Sequence, residues 1–111
     1  MKSAIVTGAG AGIGEAISKK LSDNNYRVGM LDLNQDNVIE ASKKIDNTTP
    51  LFGDVTQEET VIEAFKEFGE IPDLLVNNAG IVLFGPLEEH SINDYSKSLN
   101  INLLGSFITS R

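Results

Sequence analysis

The 111-residue sequence contains no cysteine and a single histidine. The first absence removes disulfides, cysteine-ligated zinc and thiol catalysis, and is compatible with a cytoplasmic location. The second leaves too little imidazole for a histidine-based metal centre. No run approaches the ~20 apolar residues of a membrane span. Met1-Lys2-Ser3 leads straight into an apolar segment, without the apolar stretch and cleavage site of a secretory leader. Basic residues are scarce: 9 Lys and Arg against 16 Asp and Glu give a net charge of −7. With a pI of about 4.5, neither nucleic acid nor an anionic membrane is an expected partner. The acidity reads as a solvated surface. Repeats, low-complexity tracts and linkers are missing too. What is present is an ordinary globular composition, 41% apolar, sufficient for the core of one small domain.

Strand-like and helix-like patterns alternate along the chain. Ala4–Thr7 reads as a buried strand, and a helix from near Gly12 carries Ile13, Ile17 and Leu21 until Asp23-Asn24-Asn25 ends it. Arg27–Asp32 is a second strand. Asn34 is placed to cap a helix running to about Ile45, with Val38, Ala41 and Ile45 on one face. Pro50-Leu51-Phe52 is a short third strand. Thr56-Gln57-Glu58-Glu59 has the form of a capping box, opening a helix with Val61, Phe65 and Phe68. Asp73–Val76 is a fourth strand, followed by a loop through Ser91 and a last helix carrying Tyr95, Leu99 and Phe107 and still running at Arg111. Helical crossovers between successive strands imply an α/β fold, a parallel sheet with helices on both faces. The last helix has no terminating signal, and a four-stranded sheet leaves apolar surface uncovered. The expectation is the N-terminal part of a longer protein.

Ligands of such sheets lie beyond the carboxyl ends of the strands, and the unusual residues collect there. Thr7-Gly8-Ala9-Gly10-Ala11-Gly12-Ile13-Gly14 joins the first strand to the first helix. Glycines allow a sharp turn and close approach of a ligand, while the free amides and positive end of the helix dipole attract phosphate. A dinucleotide pyrophosphate is the leading candidate. The spacing is G-x-x-x-G-x-G rather than G-x-G-x-x-G, and Glu15 stands where a P-loop needs Lys and then Ser or Thr. Asp32 ends the second strand about 20 residues on, where a ribose-binding acid belongs. A carboxylate there accepts hydrogen bonds from both ribose hydroxyls and repels a 2′-phosphate. At ~4 Å and an effective dielectric of ~20, each opposing charge costs about 4 kcal/mol before salt screening. Ala11 and Leu33 add no basic group, so NAD is preferred to NADP; Arg27, the one cation of that strand, lies at its other end. Asp54-Val55 ends the third strand and serves either a ligand or the Thr56 cap. Asn77-Asn78-Ala79-Gly80 ends the fourth, with amides able to pin adjacent strand ends and a small pair leaving room for a ribose.

These segments resemble, in order, motifs of the short-chain dehydrogenase/reductase family: T-G-x-x-x-G-I-G at Thr7–Gly14, Asp-Val at Asp54-Val55 and N-N-A-G at Asn77–Gly80. A fourth is an aromatic residue, Tyr95, followed seven positions later by N-x-x-G at Asn102–Gly105. Asn100 competes for the last match, but the register from Tyr95 to Gly105 selects Asn102. The resemblance spans the chain and implies a Rossmann-like sheet, β1-α-β2-α-β3-α-β4-α, in strand order 3-2-1-4 with its C-terminal half incomplete. It implies that Thr7, Gly8, Gly10, Gly12, Ile13, Gly14, Asp32, Leu33, Asp54, Val55, Asn78, Ala79 and Gly80 hold NAD. Asp54 would bind the adenine amine. Asn102 would distort its helix and hold a water of the catalytic proton relay. The activity implied is hydride transfer between NAD(H) and a secondary alcohol or carbonyl compound. The full-length form would be a homo-oligomer.

The family's Tyr-x-x-x-Lys, in which the cation tunes the phenol for proton transfer, is absent: Tyr26 precedes Met30 and Tyr95 precedes Leu99 at that spacing. The 111-residue chain is therefore expected to bind cofactor and not to turn over. Alcohols, sugars, steroids and 3-oxoacyl thioesters all remain open as substrates, with a lean to small secondary alcohols or 3-oxoacyl groups. Two other readings stand beside this one, a non-catalytic dinucleotide-binding module and a truncated product. A third, an S-adenosylmethionine-dependent methyltransferase using Gly8-Ala9-Gly10-Ala11-Gly12, lacks the acid two residues before the first glycine, where Val6 stands. His90 beside Glu88 and Glu89 reads as a surface cluster. Val82-Leu83-Phe84-Gly85-Pro86 either borders a substrate cleft or packs its own loop.

Overall fold

The computed structural model describes residues 1–81 and 85–111. Val82, Leu83 and Phe84, and with them most of the possible cleft border, lie outside the described residues. Strand β1 (Lys2–Thr7) is followed by helix α1 (Gly12–Asp23), β2 (Tyr26–Asp32), α2 (Gln35–Lys43), β3 (Thr48–Phe52), α3 (Glu58–Phe68) and β4 (Leu74–Val76). A short 3₁₀ turn (Leu87–Glu89), α4 (Ile92–Leu99), a π-helical turn (Asn100–Leu104) and α5 (Gly105–Ser110) complete it. The strands form one parallel sheet in the order β3-β2-β1-β4. This is the α/β, Rossmann-like arrangement that the alternating patterns and the motifs implied.

Alternate residues of each strand serve opposite faces, which divides the core in two. Val6, Val28 and Met30 pack with Val38, Ala41 and Ile45 beneath α1 and α2. Ile5, Leu31 and Leu51 pack with Ala64 and Phe68 of α3 on the other face. Ala4, Ile5, Val6, Val28, Met30 and Leu31 are wholly buried, as strands covered on both sides must be. Asp73 anchors the edge strand to its neighbour, its carboxylate accepting from the Ser3 amide at 2.9 Å.

Three expectations about local structure are corrected. The Thr56 capping box does not form. Gln57 is the N-cap residue of α3 and makes no side-chain cap. The Thr56 hydroxyl instead donates to Asp54 Oδ1 at 2.6 Å, and the Thr56 amide that a capping box would give to Glu59 goes to the same oxygen at 2.9 Å. Ile13 does not join the apolar face of α1: Ile17 and Leu21 pack on the core, while Ile13 is 72% exposed. The last helix is not one continuous α-helix, since a π turn interrupts it at Asn100–Leu104. Its apolar side chains Tyr95, Leu99 and Phe107 are 64%, 41% and 60% exposed. The buried positions of α5 are Gly105 and Thr109.

Other boundaries moved by a residue or two. β2 begins at Tyr26 because it pairs with Lys2. β3 begins at Thr48, whose hydroxyl lies 3.0 and 2.8 Å from the Ser42 and Ile45 carbonyls and closes the end of α2. The cap of α2 is as expected, Asn34 accepting from the Asn37 amide at 2.9 Å.

Candidate functional site

The carboxyl ends of all four strands open on one side of the sheet. At the end of β1 the chain turns through Gly8 and Gly12, whose φ values of 64° and 57° lie in the left-handed region that side chains disfavour. α1 then starts with Ala11 at its N-cap, which offers no side-chain cap. Its first-turn amides, which in many helices receive a Ser, Thr or Asp side chain, are thus left for another acceptor. The helix packs directly on the turn, for a Cβ at Gly14 would stand 2.1 Å from the Gly8 carbonyl oxygen.

Thr7, 1% exposed, ties β1 to the end of β4. Its hydroxyl oxygen accepts from the amides of Asn78 at 3.0 Å and Ala79 at 2.9 Å. Asn78 reciprocates, its side-chain amide donating to the Gly8 carbonyl at 3.2 Å. Asn77 faces the other way: its Nδ2 donates to Ser110 Oγ at 3.1 Å, and its Oδ1 accepts from the Thr109 hydroxyl. The two amides pin adjacent elements, one across the sheet and one to α5.

At the end of β2, the Asp32 carboxylate accepts from the Gly10 amide (Oδ2, 2.8 Å) and the Asn34 amide (Oδ1, 2.9 Å). Arg27 is at the far end of the strand, where it stacks over the Phe68 ring at 4.0 Å and pairs with Glu70 at 3.1 Å. At the end of β3, Asp54 Oδ1 accepts from the amide and hydroxyl of Thr56, a turn contact in place of the Thr56 cap expected for it.

Between these ends lies a cleft of about 460 Å³. Of the expected residues, Gly8, Ile13, Asp32, Leu33, Asp54, Val55, Asn78, Ala79 and Gly80 line it. Thr7, Gly10, Gly12 and Gly14 do not line it; they shape the turn behind it. Ile13 and Leu33, 72% and 70% exposed, stand in its lining as apolar surfaces, which accounts for the departure of Ile13 from the core.

Asn102 does not line this cleft but stands behind its Gly80–Ile81 edge, lining a neighbouring depression with His90 and Tyr95. Its side chain clamps the loop that follows Gly80: Oδ1 accepts from the Ile81 amide at 2.7 Å and Nδ2 donates to the Ile81 carbonyl at 2.9 Å. His90 is engaged with the Gly85 carbonyl at 3.3 Å.

Gly53, Leu31, Ile81 and Ile101 also line the cleft and were not anticipated. Gly53, directly before Asp54 at a strand end, carried a signal. Ile101, within the π turn, carried none. A larger hollow of about 820 Å³ runs beside β4 between α3 and α5. It is walled by Val61, Phe65, Leu75 and Ile108, and a rim charge, Arg111, is paired with Glu58 at 3.4 Å. It lies away from the strand ends, so the smaller cleft is the better candidate.

Comparison with known proteins agrees with this geometry. The short chain dehydrogenase family profile matches residues 2–111. An uncharacterized oxidoreductase of Thermotoga maritima is 34% identical over 99% of this chain and 46% of its own length. A diacetyl reductase ((S)-acetoin forming) of Staphylococcus epidermidis is 34% identical over 95% of this chain and 44% of its own. The crystal structure of the Brucella melitensis 3-ketoacyl-(acyl-carrier-protein) reductase complexed with NADH superposes with a TM-score of 0.93 at 27% identity, covering 99% of this chain and 47% of that one. The chain spans about half the length of the relatives it matches. With the glycine turn, the strand-end acids and the Asn-Asn-Ala-Gly segment gathered at one end of a 3-2-1-4 sheet, the chain belongs to the short-chain dehydrogenase family.

Proposed function

We propose that residues 1–111 are the NAD-binding part of a single-domain oxidoreductase that transfers a hydride between NAD(H) and a secondary alcohol or carbonyl compound. The observation that carries this is the convergence of Gly8, Asp32, Asp54 and Asn78, each from a different strand end, on one cleft. The residues present fit a dinucleotide. The uncapped first turn of α1 offers backbone donors to a pyrophosphate. Asp32 is held by two backbone amides and retains lone pairs for ribose hydroxyls. Ile13 and Leu33 add exposed apolar surface to the lining of the cleft. Neither Ala11 nor Leu33 supplies a cation for a 2′-phosphate, and Asp32 would repel one, which favours NAD over NADP.

A bound nicotinamide would supply the hydride chemistry; the chain's own residues bind and orient it. Asn102 has a positioning role in this reading. Its side chain is committed to Ile81 and Ser98, and its main-chain carbonyl accepts from the Ser106 hydroxyl at 3.5 Å, so a relay water would share that carbonyl through its second lone pair. The sequence contains no Tyr-x-x-x-Lys, so the 111-residue chain binds NAD without turning it over, as a non-catalytic dinucleotide module would. Alcohol or carbonyl turnover, and assembly into a homo-oligomer, belong to a form that also carries those residues. Diacetyl and 3-ketoacyl reduction by relatives favour a small secondary alcohol or a 3-oxoacyl group as substrate class.

Titration calorimetry of the chain with NAD, NADP and S-adenosylmethionine tests the reading. NAD should bind tightest, and Asp32→Ala should weaken NAD and bring the NAD and NADP affinities together. Tighter binding of S-adenosylmethionine, or an NAD/NADP ratio unmoved by Asp32→Ala, would overturn it. NAD-dependent turnover by the purified chain would remove the claim of inactivity.

A further inference from the structure

Within the NAD-binding reading, we infer that Gly10 determines cofactor specificity by positioning the Asp32 carboxylate. Gly10 is buried and is not among the residues with positive φ, so nothing in its backbone requires glycine. Its surroundings do. A Cβ at Gly10 would stand 2.8 Å from Asp32 Oδ2, 3.1 Å from Asp32 Cγ and 3.1 Å from Asn37 Cβ. Asn37 cannot easily retreat, because its amide is fixed by the Asn34 cap of α2 at 2.9 Å. The carboxylate, at the end of a rotatable side chain, is the group that gives way. The Gly10 amide already holds that carboxylate at 2.8 Å, and the neighbouring Ala9 amide is bonded to the Leu31 carbonyl at 3.1 Å. The phosphate-binding turn and the ribose-binding acid are therefore one hydrogen-bonded unit, and residue 10 sets where the acid points.

Two substitutions then separate the charge of Asp32 from its aim. Asp32→Ala removes both and orphans the Gly10 amide, which loosens the turn that either dinucleotide needs. Gly10→Ala keeps the negative charge but displaces it from the ribose hydroxyls. NAD should then bind about tenfold more weakly, as expected for loss of charge-assisted hydrogen bonds. NADP, whose 2′-phosphate the acid repels where it now points, should bind no more weakly. The two substitutions are not additive, since with Asp32 already alanine the added methyl has no carboxylate to push.

The test is a double-mutant cycle of Gly10→Ala and Asp32→Ala on the 111-residue chain, read by calorimetry with NAD and NADP. A second readout needs no cofactor: the Gly10 amide proton should resonate downfield in wild type and move upfield in Asp32→Ala. A thermal melt of each variant verifies that it folds. The inference is overturned if Gly10→Ala weakens NAD and NADP alike, if its effect persists undiminished in Asp32→Ala, or if the Gly10 resonance ignores Asp32. A folded wild-type chain that binds neither dinucleotide would sink the NAD reading, and with it the specificity claim. The Gly10 resonance would still report on the coupling itself.

Discussion

Replacing Thr7 by valine changes one hydroxyl to a methyl at nearly constant volume, and its consequences can be worked from three distances. The hydroxyl oxygen accepts from the amides of Asn78 at 3.0 Å and Ala79 at 2.9 Å, and the hydroxyl lies 3.4 Å from the Val76 carbonyl. Valine leaves both amides facing a methyl group. An orphaned buried donor costs about 1–3 kcal/mol. Asn78 and Ala79 are only half-buried and line the cleft, so water recovers part of this and the low end applies to each. The sum is about 2 kcal/mol, or a fall in Tm of about 8 °C for a chain of this size. In urea the midpoint should fall with the slope unchanged. Native-state hydrogen exchange gives the specific signature, since protection should vanish at Asn78 and Ala79. Thr7→Ser, which keeps the oxygen and loses a methyl, should retain protection at both amides. Continued protection in Thr7→Val, or its loss in Thr7→Ser, would refute the assignment of the hydroxyl as the tie between β1 and β4.

Gly14→Ala tests the packing of α1 on the turn. Helix propensity alone favours alanine by ~1 kcal/mol, but overpacking against the Gly8 carbonyl at 2.1 Å costs about 1–3 kcal/mol. A net loss of stability in urea is expected, with NAD affinity reduced about tenfold or more as the turn opens; a more stable variant would show that the helix can slide away. Asn102→Ala removes the clamp on Ile81 from an exposed site, so stability should change by less than about 1 kcal/mol. Exchange at the Ile81 amide should nevertheless accelerate, and an unchanged rate would mean that the clamp does not hold in solution.

The strand ends were legible in the sequence because each apolar run there is broken by glycine, aspartate or asparagine. The strand beginnings were not. Lys2, Tyr26 and Thr48 carry no shared side-chain signal, and they are in the sheet because the backbone ladder pairs Lys2 with Tyr26 and Val28 with Thr48. Thr56 departs from the capping pattern because two carboxylates, Asp54 and Glu59, are within sequence reach of its amide, and spacing does not say that Asp54 wins. Ile13 fits the periodicity of α1, yet the first turn of that helix extends past the core to the cleft. The site acids were placed by position alone. That Asp32 is bonded to Gly10 rather than open on all sides depends on how the glycine turn folds back over the end of β2.

The π turn gives the last helix one place where its length can change. A π turn holds one residue more than an α turn, and each helical residue advances the face by about 100°. α5 is therefore out of phase with α4, and the offset turns Gly105 toward Val55 and Thr109 toward Asn77. Deleting any one residue between Asn100 and Leu104 would restore an unbroken α-helix with good hydrogen bonds. It would leave every later side chain facing as it does now, Thr109 still toward Asn77, because the turn has already absorbed the extra residue. A deletion inside α5, where no extra residue is stored, would instead rotate everything after it by about 100°.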